Sequence, residues 1–281
     1  MKKILVPTDF SPNSTKAIDY AVQVAKINKS EIFIVHACNL IDTNPQIRPE
    51  LQNEYNKAIA DEAFEKLDLL KNSIKETERI EITTQLYDGN VNDTILDATK
   101  DFGADVIIMG TLGITGLKDK IFGSKTASII GKSLIPVIAI PLEYDWQEPK
   151  KILLAINNFK EASDLVHPVF TLASIFNAQV HLAIFSDEED IVNDEHFKKA
   201  EEIILIKETL KSKYPYRDIE AHHLSGYKFQ DTLNEYIQNN QIDLLAMITH
   251  KRSFITNIFN HSITKQMSYH TKIPLLSIPF K

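Results

Sequence analysis

The chain has 281 residues, a formal charge of −7 and a single cysteine, Cys38. This length allows two domains of ordinary size, and the acidic balance without a run of Lys and Arg argues against a surface built for nucleic acid or for an anionic membrane. One cysteine excludes an intramolecular disulfide and a cysteine-only metal cluster, so we expect a cytoplasmic protein. From its charge we expect it to bind neither nucleic acid nor membrane.

The first predicted strand, near residues 3–8, is a short apolar run that ends at Pro7. It is too short for a signal-peptide core or a bilayer span, so we expect no export or membrane segment. Ser11 followed by Pro12 predicts the start of a helix, because serine is a common cap and proline is tolerated in the first turn. Asp9 has two interpretations: it binds a ligand hydroxyl at the end of the strand, or it caps this helix.

Four more strands are predicted in the first half, near residues 31–37, 80–87, 104–110 and 136–140. Between the second and third of the five, helical spacing predicts a core-facing stripe of Tyr55, Ile59, Ala63, Leu67, Leu70 and Ile74. Short strands that alternate with helices are typical of a parallel sheet with crossover helices. Residues 1–142 are therefore predicted to form one α/β unit.

A glycine-rich turn follows the fourth strand, from Gly110 to Ser124, with the spacing G-x2-G-x9-G-S. Glycines let the backbone approach a ligand and point successive N–H groups at an anion. Ser124 is predicted to begin the next helix, whose unpaired N–H groups and dipole favour bound phosphate. The turn is therefore predicted to hold a phosphate, although glycines after a strand can also simply shape a loop.

The second half repeats the first. Residues 3–10 align with residues 151–158, and residues 105–141 align with residues 243–279. This repeat predicts strands near 151–156, 178–185, 218–224, 242–248 and 274–278, in a second unit at 150–281 that a linker at 143–149 joins to the first.

The glycines of the turn are not repeated. Their counterparts in the second half are bulky or charged, with Gly110, Gly113, Gly116 and Gly123 aligned to Ile248, Lys251, Phe254 and His261. Because the flanking strand and helix still align, we expect the glycines to be dispensable for the fold and to serve a ligand in the first half only.

The sequence PTDFS at residues 7–11, the glycine motif and a last strand bounded by Pro136 and Pro141 together resemble the universal stress protein family. The resemblance implies an α/β fold of two tandem open parallel five-stranded sheets, each in the order 3-2-1-4-5 with helices on both faces. In the ATP-binding branch it also implies a nucleotide between strands one and four. The candidate nucleotide-binding residues are Pro7, Thr8, Asp9, Ala37, Met109, Gly110, Gly113, Gly123, Ser124, Lys125 and Thr126.

Three functions remain open at this point. The first is a stress-response or regulatory protein that binds ATP or AMP, with or without Mg²⁺, in its first unit. The second is a weak ATPase or an enzyme that phosphorylates itself at Ser124 or Thr126, although no residue is assigned as catalytic because no dedicated base is apparent. The third is an interaction module with a vestigial pocket. The apolar last strands are expected to pair with each other within the chain, with a homodimer as a further option.

Other signals are rejected. Residues 131–133 resemble the end of a P-loop, but Thr126 stands where that motif needs glycine. No glycine follows the first strand, so we expect no NAD or FAD site, and Cys38 is expected to be a buried or bystander thiol. Eight of the nine histidines lie in the second half. His250 and His261 align with the rim of the glycine turn, which leaves zinc or an acidic ligand as a minor alternative. The sequence shows no helical histidine pair, and no metal ligand is assigned.

Overall fold

The structure is a computed structural model that describes residues 1–40, 48–111, 123–156, 165–187, 195–215, 218–249 and 272–280. Within these ranges strands and helices alternate along the chain. They are β1 (Lys3–Pro7), α1 (Pro12–Asn28), β2 (Glu31–Cys38), α2 (Pro49–Glu78), β3 (Ile82–Asp88), α3 (Val91–Phe102), β4 (Val106–Gly110), α4 (Ser124–Lys132), β5 (Val137–Ile140), β6 (Lys151–Ile156), α5 (His167–Phe176), β7 (Gln179–Asp187), α6 (Glu195–Lys213), β8 (Ile219–Gly226), α7 (Phe229–Asn240), β9 (Leu244–Thr249) and β10 (Leu275–Pro279).

The ten strands form one sheet in the order β3-β2-β1-β4-β5-β10-β9-β6-β7-β8. Each half follows the expected internal order, and its strands pair in parallel. The halves meet where β5 and β10 pair antiparallel, with Ile138 opposite Leu276. The predicted pairing of the last strands is thus confirmed, and it joins the two predicted five-stranded sheets into one. Two apolar edges that satisfy each other's backbone groups make the sheet continuous.

Helix α1 begins as the sequence predicts. Ser11 has an extended backbone and its hydroxyl accepts a hydrogen bond from the backbone N–H of Ser14, at 3.2 Å, while Pro12 occupies the first turn. The cap satisfies one of the N–H groups that a helix start leaves without an internal partner. It fixes the first turn of α1 directly beyond the end of β1.

The predicted core stripe of α2 is correct only in part. Ala63, Leu67 and Ile74 are buried, and Ile59 and Leu70 are half-buried. Tyr55, however, is 54% exposed, so its assignment to the core is wrong. A helix of 30 residues is about 45 Å long, whereas the eight residues of β2 span about 26 Å. The sheet therefore cannot cover α2 over its whole length, and Tyr55 lies near its N-terminal end.

The predicted linker is anchored to the packed interior by two aromatic side chains, although four of its seven residues are exposed. Tyr144 is buried, with its ring centroid 6.0 Å from that of Tyr20 on α1. The ring of Trp146 lies 5.0 Å from Tyr20 and 6.0 Å from Phe176 on α5. These aromatic contacts join the first helix of each half through the linker. The buried apolar residues form two clusters, and each cluster contains residues from both halves of the chain. The domain division at 143–149 therefore stays a prediction.

Both halves anchor their first strand through an aspartate. The Asp105 carboxylate accepts hydrogen bonds from the backbone N–H groups of Lys2 and Lys3. Asp243 does the same for Lys150 and Lys151, at 2.8 and 2.9 Å. This repeated contact ties β1 to the start of β4, and β6 to the start of β9. In the described part of the chain, no helix combines the length and the apolar character needed to cross a membrane.

Candidate functional site

A cavity of about 260 Å³ lies at the C-terminal ends of β1, β2 and β4. The strand order reverses direction at β1, because β2 and β4 lie on opposite sides of it. Open α/β sheets bind ligands in the crevice at such a switch point. The lining comes from the ends of these three strands and the starts of helices α1, α3 and α4. It consists of Pro7, Thr8, Asp9, Ser14, Val35, His36, Ala37, Val91, Thr94, Ile95, Met109, Gly110, Lys125 and Thr126.

Most of the residues predicted from the sequence lie in this lining. It contains Pro7, Thr8, Asp9, Ala37, Met109, Gly110, Lys125 and Thr126. Gly123 and Ser124 are outside the lining, although they directly precede Lys125 as the cap and first residue of α4. Gly113 lies outside the described residues, as do Gly116 and the rest of the segment 112–122.

The turn after β1 is held by side chains that accept from the backbone. Thr8 Oγ1 accepts from the N–H of Phe10 at 3.0 Å, and Asp9 Oδ1 accepts from the N–H of Ser11 at 3.1 Å. Phe10 itself has φ of 59°, a left-handed conformation that is unusual for a residue with a side chain. The helix-cap interpretation of Asp9 is excluded because Ser11 is the cap. Asp9 instead shapes the turn and lines the cavity.

The backbone of Ala37 faces the cavity. The carbonyl of Val35 accepts from the N–H of Thr8, towards β1, whereas the carbonyl of Cys38 accepts from Gly89, towards β3. Backbone groups alternate sides along a strand, so Ala37 points to the β1 side like Val35. The pairing of β1 with β2 ends at Pro7, opposite Val35. The N–H and C=O of Ala37 therefore point past the end of β1, and no residue of β1 pairs with them.

The start of α4 is fixed against the end of β4. Thr126 is buried, and its hydroxyl donates to the carbonyl of Gly110 at 2.8 Å. Gly123 is the N-cap residue, with an extended backbone and no side chain to accept from the first turn. The first N–H groups of a helix have no partner inside it and carry the positive end of its dipole. Together with the exposed ammonium group of Lys125, they make this side of the cavity suited to an anion.

Gly110 has a structural role that the sequence comparison did not predict. A Cβ atom at this position would lie 2.3 Å from Oδ1 of Asn13 and 2.7 Å from its carbonyl oxygen. Real Cβ atoms do not come so close, so any side chain here must displace the first turn of α1. The expectation that all the glycines are dispensable for the fold is therefore wrong for Gly110. In the second half Ile248 occupies the matching position and is buried.

Sequence reasoning missed several lining residues. His36 donates from Nδ1 to the carbonyl of Thr8, at 2.8 Å, and its ring lies 4.5 Å from that of Phe10. Val91, Thr94 and Ile95 come from the first turns of α3, whose cap Asn90 and i, i+4 apolar pair are visible in the sequence. What the sequence does not reveal is that α3 begins beside the end of β1.

Cys38 is buried, which is one of the two alternatives predicted for it. It is the last residue of β2, buried, with Sγ 3.5 Å from the carbonyl of Tyr87. Burial, followed by the nearby negative charge of Asp88, raises the pKa of the Cys38 thiol. A thiol with a raised pKa forms less of the reactive thiolate. His250 and His261, which the repeat aligned with the rim of the glycine turn, lie outside the described residues.

Comparison with known proteins gives consistent results over the whole chain. The family model described as "Universal stress protein family" matches residues 1–141 and 148–279. The universal stress protein MJ0577 of Methanocaldococcus jannaschii is 27% identical over 154 residues, which is 50% of this chain and 94% of that protein. The universal stress protein YxiE of Bacillus subtilis is 28% identical over 151 residues, which is 49% of this chain and 97% of that protein. A crystal structure of a universal stress protein from Archaeoglobus fulgidus has a TM-score of 0.75 and 16% identity, and the match covers 99% of this chain and 98% of that one, a likeness of fold.

Proposed function

The chain belongs to the universal stress protein family, and from this premise we propose that its N-terminal half binds one adenine nucleotide, ATP or AMP, as a regulatory ligand. The observation that carries the proposal is the cavity at the ends of β1 and β4, next to the N-terminus of α4. It combines apolar side chains, backbone groups of Ala37 that β1 does not pair, and a helix start. A nucleotide needs these three features for its base, its ribose and its phosphates.

We assign the base and ribose to the part of the cavity lined by β1, β2 and α3. Val35, Ala37 and Ile95 offer apolar contact to a flat ring, and the backbone of Ala37 offers one donor and one acceptor. The carboxylate of Asp9 is suited to accept from ribose hydroxyls. A volume of about 260 Å³ is just below the range of about 300–1,000 Å³ for small-molecule sites. The phosphates would therefore extend beyond it, towards Gly123 and α4.

The phosphates would meet preorganised donors rather than a single strong charge. The candidate donors are the N–H groups at the start of α4 and the ammonium group of Lys125, which is one of the lining residues. Such a site accepts one phosphate or several, because successive N–H groups can contact different oxygens. Mg²⁺ is an optional companion, with Asp9 as the one carboxylate among the lining residues.

The rival functions make different use of the same residues. Self-phosphorylation at Thr126 is disfavoured by the structure, since this hydroxyl is buried and already donates to Gly110. Ser124 is exposed at the start of α4 and is the better placed of the two acceptors. A phosphate-release assay and mass spectrometry of protein incubated with ATP separate turnover from binding. A vestigial pocket predicts that no nucleotide is bound at all.

Calorimetric titration of the full chain with ATP and with AMP tests the proposal. We expect one nucleotide per chain. Gly123→Asp should abolish binding, because a carboxylate at the helix cap repels phosphate, and Gly123→Asn should weaken it less because its similar bulk carries no charge. Both variants should fold, since Gly123 has φ of −64° and both new residues are favoured helix caps.

Two results would contradict this assignment. Two nucleotides per chain would show that the second half also binds nucleotide. A folded Gly123→Asp chain with unchanged affinity would show that the phosphates do not bind at the start of α4. Titrations in Mg²⁺ and in EDTA show whether the metal contributes.

A further inference from the structure

A second polar cluster lies in the C-terminal half, far along the sheet from the cavity. It consists of His181 on β7 and of Glu220 and His222 on β8. Each can offer one ligand atom, and these atoms all lie within 4.8 Å of one another. His181 and Glu220 are directly opposite each other in the parallel register, and His222 is two residues further along β8. Residues two apart on a strand share a face, so all three side chains lie on one side of the sheet.

The first half shows that the fold does not need these residues. The pairing of β2 with β3 matches that of β7 with β8, with Ile32 opposite Ile82 where Val180 is opposite Ile219. The counterparts of His181, Glu220 and His222 are therefore Phe33, Thr83 and Gln85. Phe33 stacks on Phe102 at 4.4 Å and fills the same region with apolar contact. The C-terminal half replaces this stack with groups that can bind a cation.

We propose that His181, Glu220 and His222 bind one divalent transition-metal ion, with Zn²⁺ as the best fit. Two imidazoles and one carboxylate are a common three-ligand set for zinc, with water as the fourth ligand. Imidazole nitrogens select this class of metal over Mg²⁺ and Ca²⁺, which prefer oxygen ligands. Zinc binds nitrogen at about 2.0–2.1 Å, so the ligand atoms must move closer together than 4.8 Å. Side-chain rotation of the two half-exposed residues can supply this movement.

The contacts around His181 support a ligand role. His181 is buried, its Nδ1 is 2.8 Å from the hydroxyl of Tyr236 on α7, and its Nε2 is 3.0 Å from Oε1 of Gln179. A tyrosine hydroxyl both donates and accepts, so it can partner Nδ1 in either tautomer. When Nε2 binds the metal, Nδ1–H donates to Tyr236. Such a contact fixes the orientation of the ring, as is usual for metal-binding histidines.

Charge and exposure also favour a cation. The side chains of Glu220 and His222 are 46% and 31% exposed, so an ion can enter from solvent beside the buried His181. The amide of Gln179 donates to Glu220 at 2.8 Å and to Asp218 at 2.7 Å, which places a second carboxylate next to the cluster. In this state Glu220 and His222 are 3.2 Å apart. A metal would replace that contact with two metal–ligand bonds.

Zinc titration of the untagged full chain, freed of metal with EDTA and then of EDTA by dialysis, tests the site. We expect one Zn²⁺ per chain by calorimetry. His222→Gln and Glu220→Gln should each weaken binding by at least about tenfold, since each removes one of three protein ligands. His223→Gln is the matched control, because it removes a histidine from the same strand but from the opposite face. It should leave the zinc affinity unchanged.

The outcomes separate this site from other histidines of the C-terminal half. Unchanged affinity in both His222→Gln and Glu220→Gln would overturn the proposal, as would an equal loss in His223→Gln or no binding by the wild-type chain. Circular dichroism of each variant shows whether it is folded. His181→Gln alone is not decisive because His181 is buried, so the two half-exposed ligands carry the test.

Discussion

Gly110 and Asn13 are packed so closely that a Cβ atom on the glycine would lie 2.3 Å from the Asn13 side-chain oxygen. Asn13 in turn donates from its amide to the carbonyl of Ile140, at 3.3 Å. One asparagine of α1 thus contacts the ends of both β4 and β5. This contact sets the position of the first turn of α1, which carries Ser14 into the cavity lining.

Gly110→Ala should therefore destabilise the protein, by about 1–3 kcal/mol in urea denaturation, because the core is overpacked. Asn13→Ala in the same chain should restore only part of the loss. It removes the side-chain oxygen, but the Asn13 carbonyl oxygen remains 2.7 Å from the new Cβ. A Gly110→Ala chain as stable as the wild type would show that this part of α1 moves freely.

Lys125→Met should weaken ATP binding while leaving adenosine binding nearly unchanged. Lys125 is exposed in the first turn of α4, which is the part of the site assigned to the phosphates. Exposed charge pairs contribute about 0.2–1 kcal/mol, so we expect a loss of about twofold to fivefold in calorimetry. The loss should shrink at high salt. An equal loss for adenosine would place Lys125 against the nucleoside instead.

Tyr20→Phe should leave stability unchanged or raise it, whereas Tyr144→Phe should lower it by about 1 kcal/mol. Both rings belong to the aromatic contact at the linker. The Tyr20 hydroxyl is buried without a hydrogen-bond partner among the described residues, so its removal leaves nothing unpaired. The Tyr144 hydroxyl donates to the carbonyl of Gln147 at 3.0 Å. Thermal unfolding of the two variants makes the comparison, and a larger loss for Tyr20→Phe would contradict it.

Asp105→Asn should destabilise the protein near neutral pH and have less effect in acid. Partial burial raises the pKa of the Asp105 carboxyl, but hydrogen bonds from the N–H groups of Lys2 and Lys3 outweigh this and lower the pKa below its usual value. A carboxyl with a lowered pKa stabilises the fold above its unfolded-state pKa, and this contribution is lost as the pH falls through the folded-state pKa.

The measurement for Asp105 is urea denaturation of wild type and variant at several pH values between 7 and 3. The difference in the free energy of unfolding should be largest near pH 7 and should narrow below about pH 4, the range in which an unfolded aspartate takes up its proton. A difference that stays constant with pH would show that the asparagine disturbs packing rather than charge.

The tandem repeat made the order of elements predictable, because one aligned pattern fixes ten strands at once. The apolar character of Val137 and Leu275 also indicated that the last strands would pair. What the repeat could not supply is contact between segments that only the fold brings together. The packing of Trp146 between α1 and α5 is of this kind, since a tryptophan in a polar segment gives no sign of its partner.

The candidate site divides in the same way. Asp9 and Lys125 were identified from their places after the first strand and at a predicted helix start, and Ala37 from the family resemblance. All three line one cavity. The role of Gly110 was misjudged, because a comparison of two halves cannot show that Asn13 crowds one glycine. The cluster of His181, Glu220 and His222 was missed since its spacing is that of strands, in which two residues share a face at every second position. A search for helical histidine pairs does not detect it.

The antiparallel junction of β5 and β10 has a consequence for how the two halves can diverge. In a symmetric pair of identical subunits, every substitution appears twice, so a change that suits one partner is imposed on the other. A covalently joined pair is free of this constraint, because its sheet is built from two different stretches of a single gene. One half can keep Gly123 as a helix cap, while the other half has His181 where the first has Phe33. Because one continuous sheet carries both halves, every molecule contains one copy of each of the two unlike surfaces.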